Sequence, residues 1–167
     1  MDSFDKEFGQ WPVLETATFT HKYEDLEQDH TSFDIHGPLI PLHLPAITCP
    51  KLCKLETYLP HPFEYKAITD SMQDLLESSE RTDHILAELT ITFLEPKQFE
   101  SPSMDTIMKA KEAILLARVI DHLYPNLKHL NIYGYSDIVT DVMGSIWRPW
   151  YHGVVMMVKN FQEARGR

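Results

Sequence analysis

Glycine, cysteine and positive charge are all scarce in this chain. Six glycines are scattered through 167 residues. None falls into G-x-G-x-x-G, G-x-x-x-x-G-K or G-x-S-x-G, so no phosphate-cradling loop and no hydrolase elbow is encoded. The enzyme classes built on those motifs are set aside. The two cysteines, Cys49 and Cys53, make one C-x-x-x-C pair. A single pair this close frames no disulfide scaffold, and its spacing is not that of a zinc knuckle. Reduced thiols in an intracellular protein are the expectation. Lys and Arg number 15 against 25 acidic residues, for a formal net charge of -10. Such a surface repels phosphate backbones, which argues against a nucleic-acid partner. The opening "MDSFDKEFGQ" has no apolar core of the secretory kind, and the longest apolar runs, "VVMMV" and "AILLA", are far too short for a bilayer. A soluble cytoplasmic or nuclear protein is expected, with no membrane partner.

Proline is plentiful, and its placement is informative. Three phrases resemble one another: "WPVLETATFT" at 11–20, "CPKLCKLETY" at 49–58 and "YPNLKHLNIYG" at 124–134. Aligned on the leucine two residues after the proline, Leu14, Leu52 and Leu127 coincide. "HILAELTITF" supplies a fourth copy, with Leu86 in the leucine slot and His84 in place of proline. Three positions on stand Ala17, Leu55, Leu89 and Leu130. Two further stand Phe19, Thr57, Ile91 and Ile132. The shared pattern is P-x-L-x-x-L-x-φ, where φ is apolar or β-branched, and its second half alternates as a half-buried strand does. Proline fixes its own backbone and keeps the preceding residue out of the helical region, so each copy opens with a turn.

The copies begin 38, 34 and 41 residues apart, counted between their leucines. That leaves room for helices. "EYKAITDSMQDLLESSE" puts Ile68, Met72, Leu75 and Leu76 on one face. "SPSMDTIMKAKEAILLARVIDHL" is the strongest helix pattern, with Ser103 or Asp105 as its cap. Its apolar face is Ile107, Met108, Ala110, Ile114, Leu115, Ala117, Val119 and Leu123. The first spacer holds Pro38, Pro41 and Pro45 and should be extended or irregular. "SDIVTDVMGSIW" reads as a helix, whereas "GVVMMVKNFQEA" fits a helix or a strand. The expected object is one domain over 1–167, of α/β class. Repeats at about 11–23, 49–60, 84–94 and 124–135 would stack short parallel strands with helices on the convex side, closed by a cap over 136–167.

"CPKLCKLETY" and "YPNLKHLNIYG" resemble the degenerate leucine-rich repeats that follow the F-box in many fungal F-box proteins. The resemblance covers about residues 11–135. It implies strands on a concave side, helices on a convex side, and a non-catalytic role in binding a protein partner, as an adaptor or substrate-recognition region. The F-box itself is not found, since "HLPAITCPKL" runs into a strand pattern. Binding to the ubiquitin-ligase linker protein is therefore not implied. The asparagine of the cytoplasmic type of leucine-rich repeat is also missing after the strands.

Side chains between the ladder positions point away from the core. They are Thr16, Thr18 and Thr20, then Lys54, Glu56 and Tyr58, then Glu88, Thr90 and Thr92, then His129, Asn131 and Tyr133. Parallel stacking would set these twelve on one polar face with little net charge, suited to protein recognition. Tyr58, His129 and Tyr133 would contribute most. "IWRPWYHG" adds Trp147, Arg148 and Trp150, a set typical of binding hot spots. The favoured reading of the same rings is that they cover the open end of the last repeat, with Arg148 stacked on one of them. No catalytic residue, cofactor or metal ligand is assigned. His30, His36 and His43 lie close in sequence but match no ligand spacing. The competing reading is a small α+β enzyme or ligand-binding domain. Its strands would be shuffled or antiparallel, and its pocket would gather several of His30, His36, His43, His61 and His84.

Overall fold

A computed structural model describes residues 13–18, 39–60, 66–78, 80–94, 110–134 and 148–166. Within them lie four strands: β1 (Thr16–Thr18), β2 (Lys54–Pro60), β3 (Glu88–Leu94) and β4 (His129–Gly134). Four helices accompany them: α1 (Ile40–Thr48), α2 (Lys66–Ser78), α3 (Ala110–Leu123) and α4 (Arg148–Ala164). The sheet order is β1-β2-β3-β4, and every pairing is parallel. The chain is thus of α/β class, without the shuffled or antiparallel order of the competing reading. Parallel neighbours need a crossover, and crossovers are right-handed. Crossovers that always step in the same direction put their helices on the same side of the sheet. Burial agrees: one face of the sheet and the inner sides of the helices share a single core.

The register joins residues that occupy equivalent places in the sequence phrases. Ala17, Leu55, Leu89 and Leu130 form one row across the sheet, and Thr57, Ile91 and Ile132 form the next. Leu52, Leu55, Leu86, Leu89 and Ile91 are fully buried, with Leu127 and Ile132 close behind, while Leu14 and Leu130 pack on the core from a half-buried position. Backbone bonds recur too. Glu15 O accepts from Cys53 and Lys54, Cys53 O from Ala87 and Glu88, and Ala87 O from Lys128 and His129, all at 2.8–3.1 Å. Each carbonyl sits one residue past the phrase leucine.

The turn explains the proline phrase. Leu52 N–H bonds to Cys49 O at 3.0 Å, and Leu127 N–H to Tyr124 O at 3.3 Å. In both, proline holds the second place of a four-residue turn, where its fixed φ is favoured. The third phrase has no proline and solves the problem differently. Leu86 N–H bonds to Nδ1 of His84 at 3.0 Å, and His84 Nε2 reaches Cys49 O at 2.8 Å. His84 is buried, edge-on to Tyr124 at 5.4 Å. Tyr124 in turn donates its hydroxyl to Leu42 O at 2.5 Å, and burial pushes that phenol far above its ordinary range. The turns of successive phrases are therefore cross-linked through side chains.

Two expectations about helices need correction. The first spacer, expected to be irregular, contains α1. Pro41 stands in its first turn, where no N–H is needed, while Pro45 lies inside. Leu39, Leu42, Ala46 and Cys49, at helical spacing, are all buried. An interior proline costs about 3 kcal/mol, but burying one leucine returns about 1.5–3 kcal/mol, and two are buried here. The prolines masked that periodicity. On α3, Ile114 is exposed rather than on the apolar face, whereas Ala113, Leu116 and Ile120 are buried. The helix is covered on several sides because α1, α2 and α4 all pack against it. The helix α2 follows expectation with Met72 and Leu75 buried. The "GVVMMVKNFQEA" segment is helical, within α4. Ser103, Asp105 and residues 136–147 lie outside the described residues.

Candidate recognition surface

The face of the sheet opposite the helices carries the side chains that alternate with the ladder. Register sorts them into rows: Thr16, Lys54, Glu88 and His129, then Thr18, Glu56, Thr90 and Asn131, then Tyr58, Thr92 and Tyr133. Eleven of the twelve residues expected on this face are thus brought together, and Thr20 lies outside the described residues. Glu88, His129, Asn131 and Tyr133 are exposed, and Lys54, Glu56, Tyr58 and Thr90 are half-buried.

Thr92 is a correction. It is only 4% exposed, so it presents almost nothing to a partner. The register seats it between Tyr58 and Tyr133. Adjacent strands stand about 4.8 Å apart, so two larger neighbours in the same row overhang a threonine.

The polar side chains are partly tied to one another. Lys54 Nζ meets Glu56 Oε1 at 3.0 Å, and Thr18 donates to Glu56 Oε2 at 3.5 Å. The hydrogen bond that Lys54 donates to Glu56, with the charges of Glu56 and Glu88, holds the Lys54 ammonium above its ordinary value. The pair is well exposed, so it fixes orientation more than it stabilises. Across the rows one cation, Lys54, faces two carboxylates, Glu56 and Glu88. Alternating polar hydrogen-bonding groups with a tyrosine at 42% exposure can read a peptide surface. Nothing in this set is arranged to activate a nucleophile or to hold a proton for transfer.

The aromatic cluster is the second correction. Trp150 is 5% exposed and lies edge-on to Phe93 at 6.0 Å. Tyr151, also buried, stacks on Phe93 at 5.7 Å with planes 9° apart. Phe93 belongs to the buried face of β3, so these rings close the core beside α4. Offset or edge-on ring pairs favour that packing. Arg148 is exposed at the start of α4, and Trp147 lies outside the described residues.

The histidines do not form a site on what is described. His84 bonds to backbone, as given above. His43 is half-buried, and burial together with the nearby His122 lowers its pKa. His30, His36 and His61 lie outside the described residues. Among the described residues no cluster of three or more His, Cys, Asp or Glu side chains is arranged to hold a metal ion.

One polar cluster was not anticipated. Asp121 on α3 is buried and paired with the guanidinium of Arg165, both nitrogens to both oxygens. Arg81 Nη2 also reaches it at 3.3 Å. Asp121 looks like an ordinary polar helix residue in sequence, and its partners lie 40 and 44 residues away. No local pattern signals such a pair.

No protein-family model, curated protein or solved structure matches this chain.

Proposed function

We propose that the chain is a non-catalytic protein-recognition module, a leucine-rich-repeat-like stack that presents the open face of its sheet to a protein partner. The observation that carries this reading is a sheet face that no described helix covers. All-parallel sheets are nearly always covered on both faces, because their crossovers are helical. Here the helices share the core of one face, while the other bears polar rows and exposed Tyr133. The recurring turn and the recurring two-donor carbonyls support a repeat stack of the kind in which each unit rests on its neighbour. The resemblance to the region after the F-box of fungal F-box proteins points to an adaptor or substrate-recognition role. The acidic balance of the chain disfavours nucleic acid. Among the described residues no helix is long and apolar enough to cross a membrane. A location in the cytoplasm or nucleus is part of the proposal.

The test compares wild type with a Tyr58→Ala/Tyr133→Ala variant as immobilised baits in one extract. A partner retained by wild type and lost by the variant, at matched melting temperatures, is the expected result. Identical capture by both proteins would remove the sheet face from the function.

A further inference from the structure

Among the described residues the last strand, β4, pairs with a neighbour on one side only. His129 N–H points inward, to Ala87 O at 2.9 Å. In a parallel pair the bonded residues alternate along the strand. Asn131 and Tyr133 therefore also bond toward β3, and the N–H and C=O of Leu130 and Ile132 point outward. Unpaired strand edges of this kind accept another strand.

The edge lies at the bottom of a trough. Two hollows run between β4 and α4, and Leu130, Asn131 and Val155 line both. The outward amides are thus reachable over the length of an added strand. Part of the floor is apolar, from Leu130, Ile132 and Val155. Among the described residues the walls carry the cations Lys128, Arg148 and Lys159 and one carboxylate, Glu163. Glu163 is met by Lys159 at 3.8 Å. Imidazoles of His129 and His152 add to the same walls. This is a basic strip on a chain whose formal net charge is -10.

We propose that the β4 edge takes an extended, acidic segment of a partner protein as a fifth strand. Side chains of an added strand alternate, so a segment alternating small apolar with acidic residues fits. Its apolar side meets Leu130 and Val155, and its carboxylates meet Lys128 and Lys159. This site borders the open sheet face, sharing His129, Asn131 and Tyr133 with it, but it does not depend on that face binding anything.

The test uses the full chain and two short fluorescent peptides, one alternating Val with Glu and one alternating Val with Lys. Fluorescence anisotropy should show binding of the Glu peptide alone, weakening as salt rises. Lys128→Glu with Lys159→Glu, both at exposed positions, should weaken it about tenfold without changing the melting curve. Amide hydrogen exchange at Leu130 and Ile132 should slow when the Glu peptide is bound. Equal binding of the two peptides, or unchanged exchange at those two amides, would overturn the proposal. So would self-association in sedimentation that protects the same amides without peptide, because the occupant would then be a second copy.

Discussion

Nδ1 of His84 accepts the backbone N–H of Leu86, standing in for the carbonyl that serves Leu52 and Leu127 in the proline turns. Accepting there requires a bare Nδ1, which leaves the proton on Nε2, facing Cys49 O. The ring must be neutral to make both bonds. Burial lowers its pKa below the ordinary 6.5, by more than its bonds to the Cys49 and Pro45 carbonyls raise it. The unfolded chain therefore binds this proton at higher pH than the folded chain does. The contribution to stability is complete above about pH 6.5 and is lost as pH falls through the folded value. His43 shifts in the same direction. Denaturant midpoints should drop between about pH 7 and pH 5, and His84→Ala should flatten part of that slope. The same substitution should cost about 1–3 kcal/mol at neutral pH, since it leaves a buried N–H without its acceptor.

The row of ladder residues should not respond uniformly. Leu89 is fully buried and Leu130, in the same row, is only partly so. Leu89→Ala should cost about 2–5 kcal/mol. Leu130→Ala, which removes less buried area, should cost below about 2 kcal/mol. Urea unfolding of the two variants checks the order, and a larger loss for Leu130 would contradict the packing described.

Asp121 is held by Arg165 and Arg81 at the end of α3. Asp121→Ala should destabilise the fold by about 1.5–3 kcal/mol, the range for hydrogen bonds to charged groups, because the Arg165 guanidinium loses its carboxylate, while Arg81 keeps the Asp121 backbone carbonyl at 3.3 Å. Arg165 keeps about a fifth of its side chain exposed, so water softens the loss. Thermal melts of Asp121→Ala and Arg165→Ala, and of both together, should show the double variant costing less than the two single losses added.

Thr57 occupies a ladder position where its equivalents are Ile91 and Ile132. Its hydroxyl is buried and has no hydrogen-bond partner among the described residues. Thr57→Val keeps the shape and removes the unpaired oxygen. It should raise stability by about 1 kcal/mol, read as a higher urea midpoint.

Much of the strand framework was legible in sequence because period-two patterning and proline turns are local signals. Leu52, Leu86 and Leu127 align by eye, and the register repeats that alignment. The helix α1 was hidden because Pro41 and Pro45 override an apolar spacing that burial rewards. Thr92 and Trp150 were misplaced for another reason. Alternation tells which face of a strand a residue occupies, but not whether Tyr58 and Tyr133 flank it. Nor does it tell that Phe93 waits for Trp150 across 57 residues of chain. The trough beside β4 was invisible in sequence, since it exists only where α4 meets the strand edge.

Sheet order has a mechanical consequence. Each strand touches only the strands next to it in sequence, so load applied to the ends passes through every interface in series. A barrel or a shuffled sheet would share that load among several interfaces at once. Among the described residues the weakest joint is then the shortest: β1 pairs over three residues, against seven in β2 and β3. Under tension the chain should open like a row of fasteners, β1 leaving first and β2 and β3 parting later, rather than rupturing in one event.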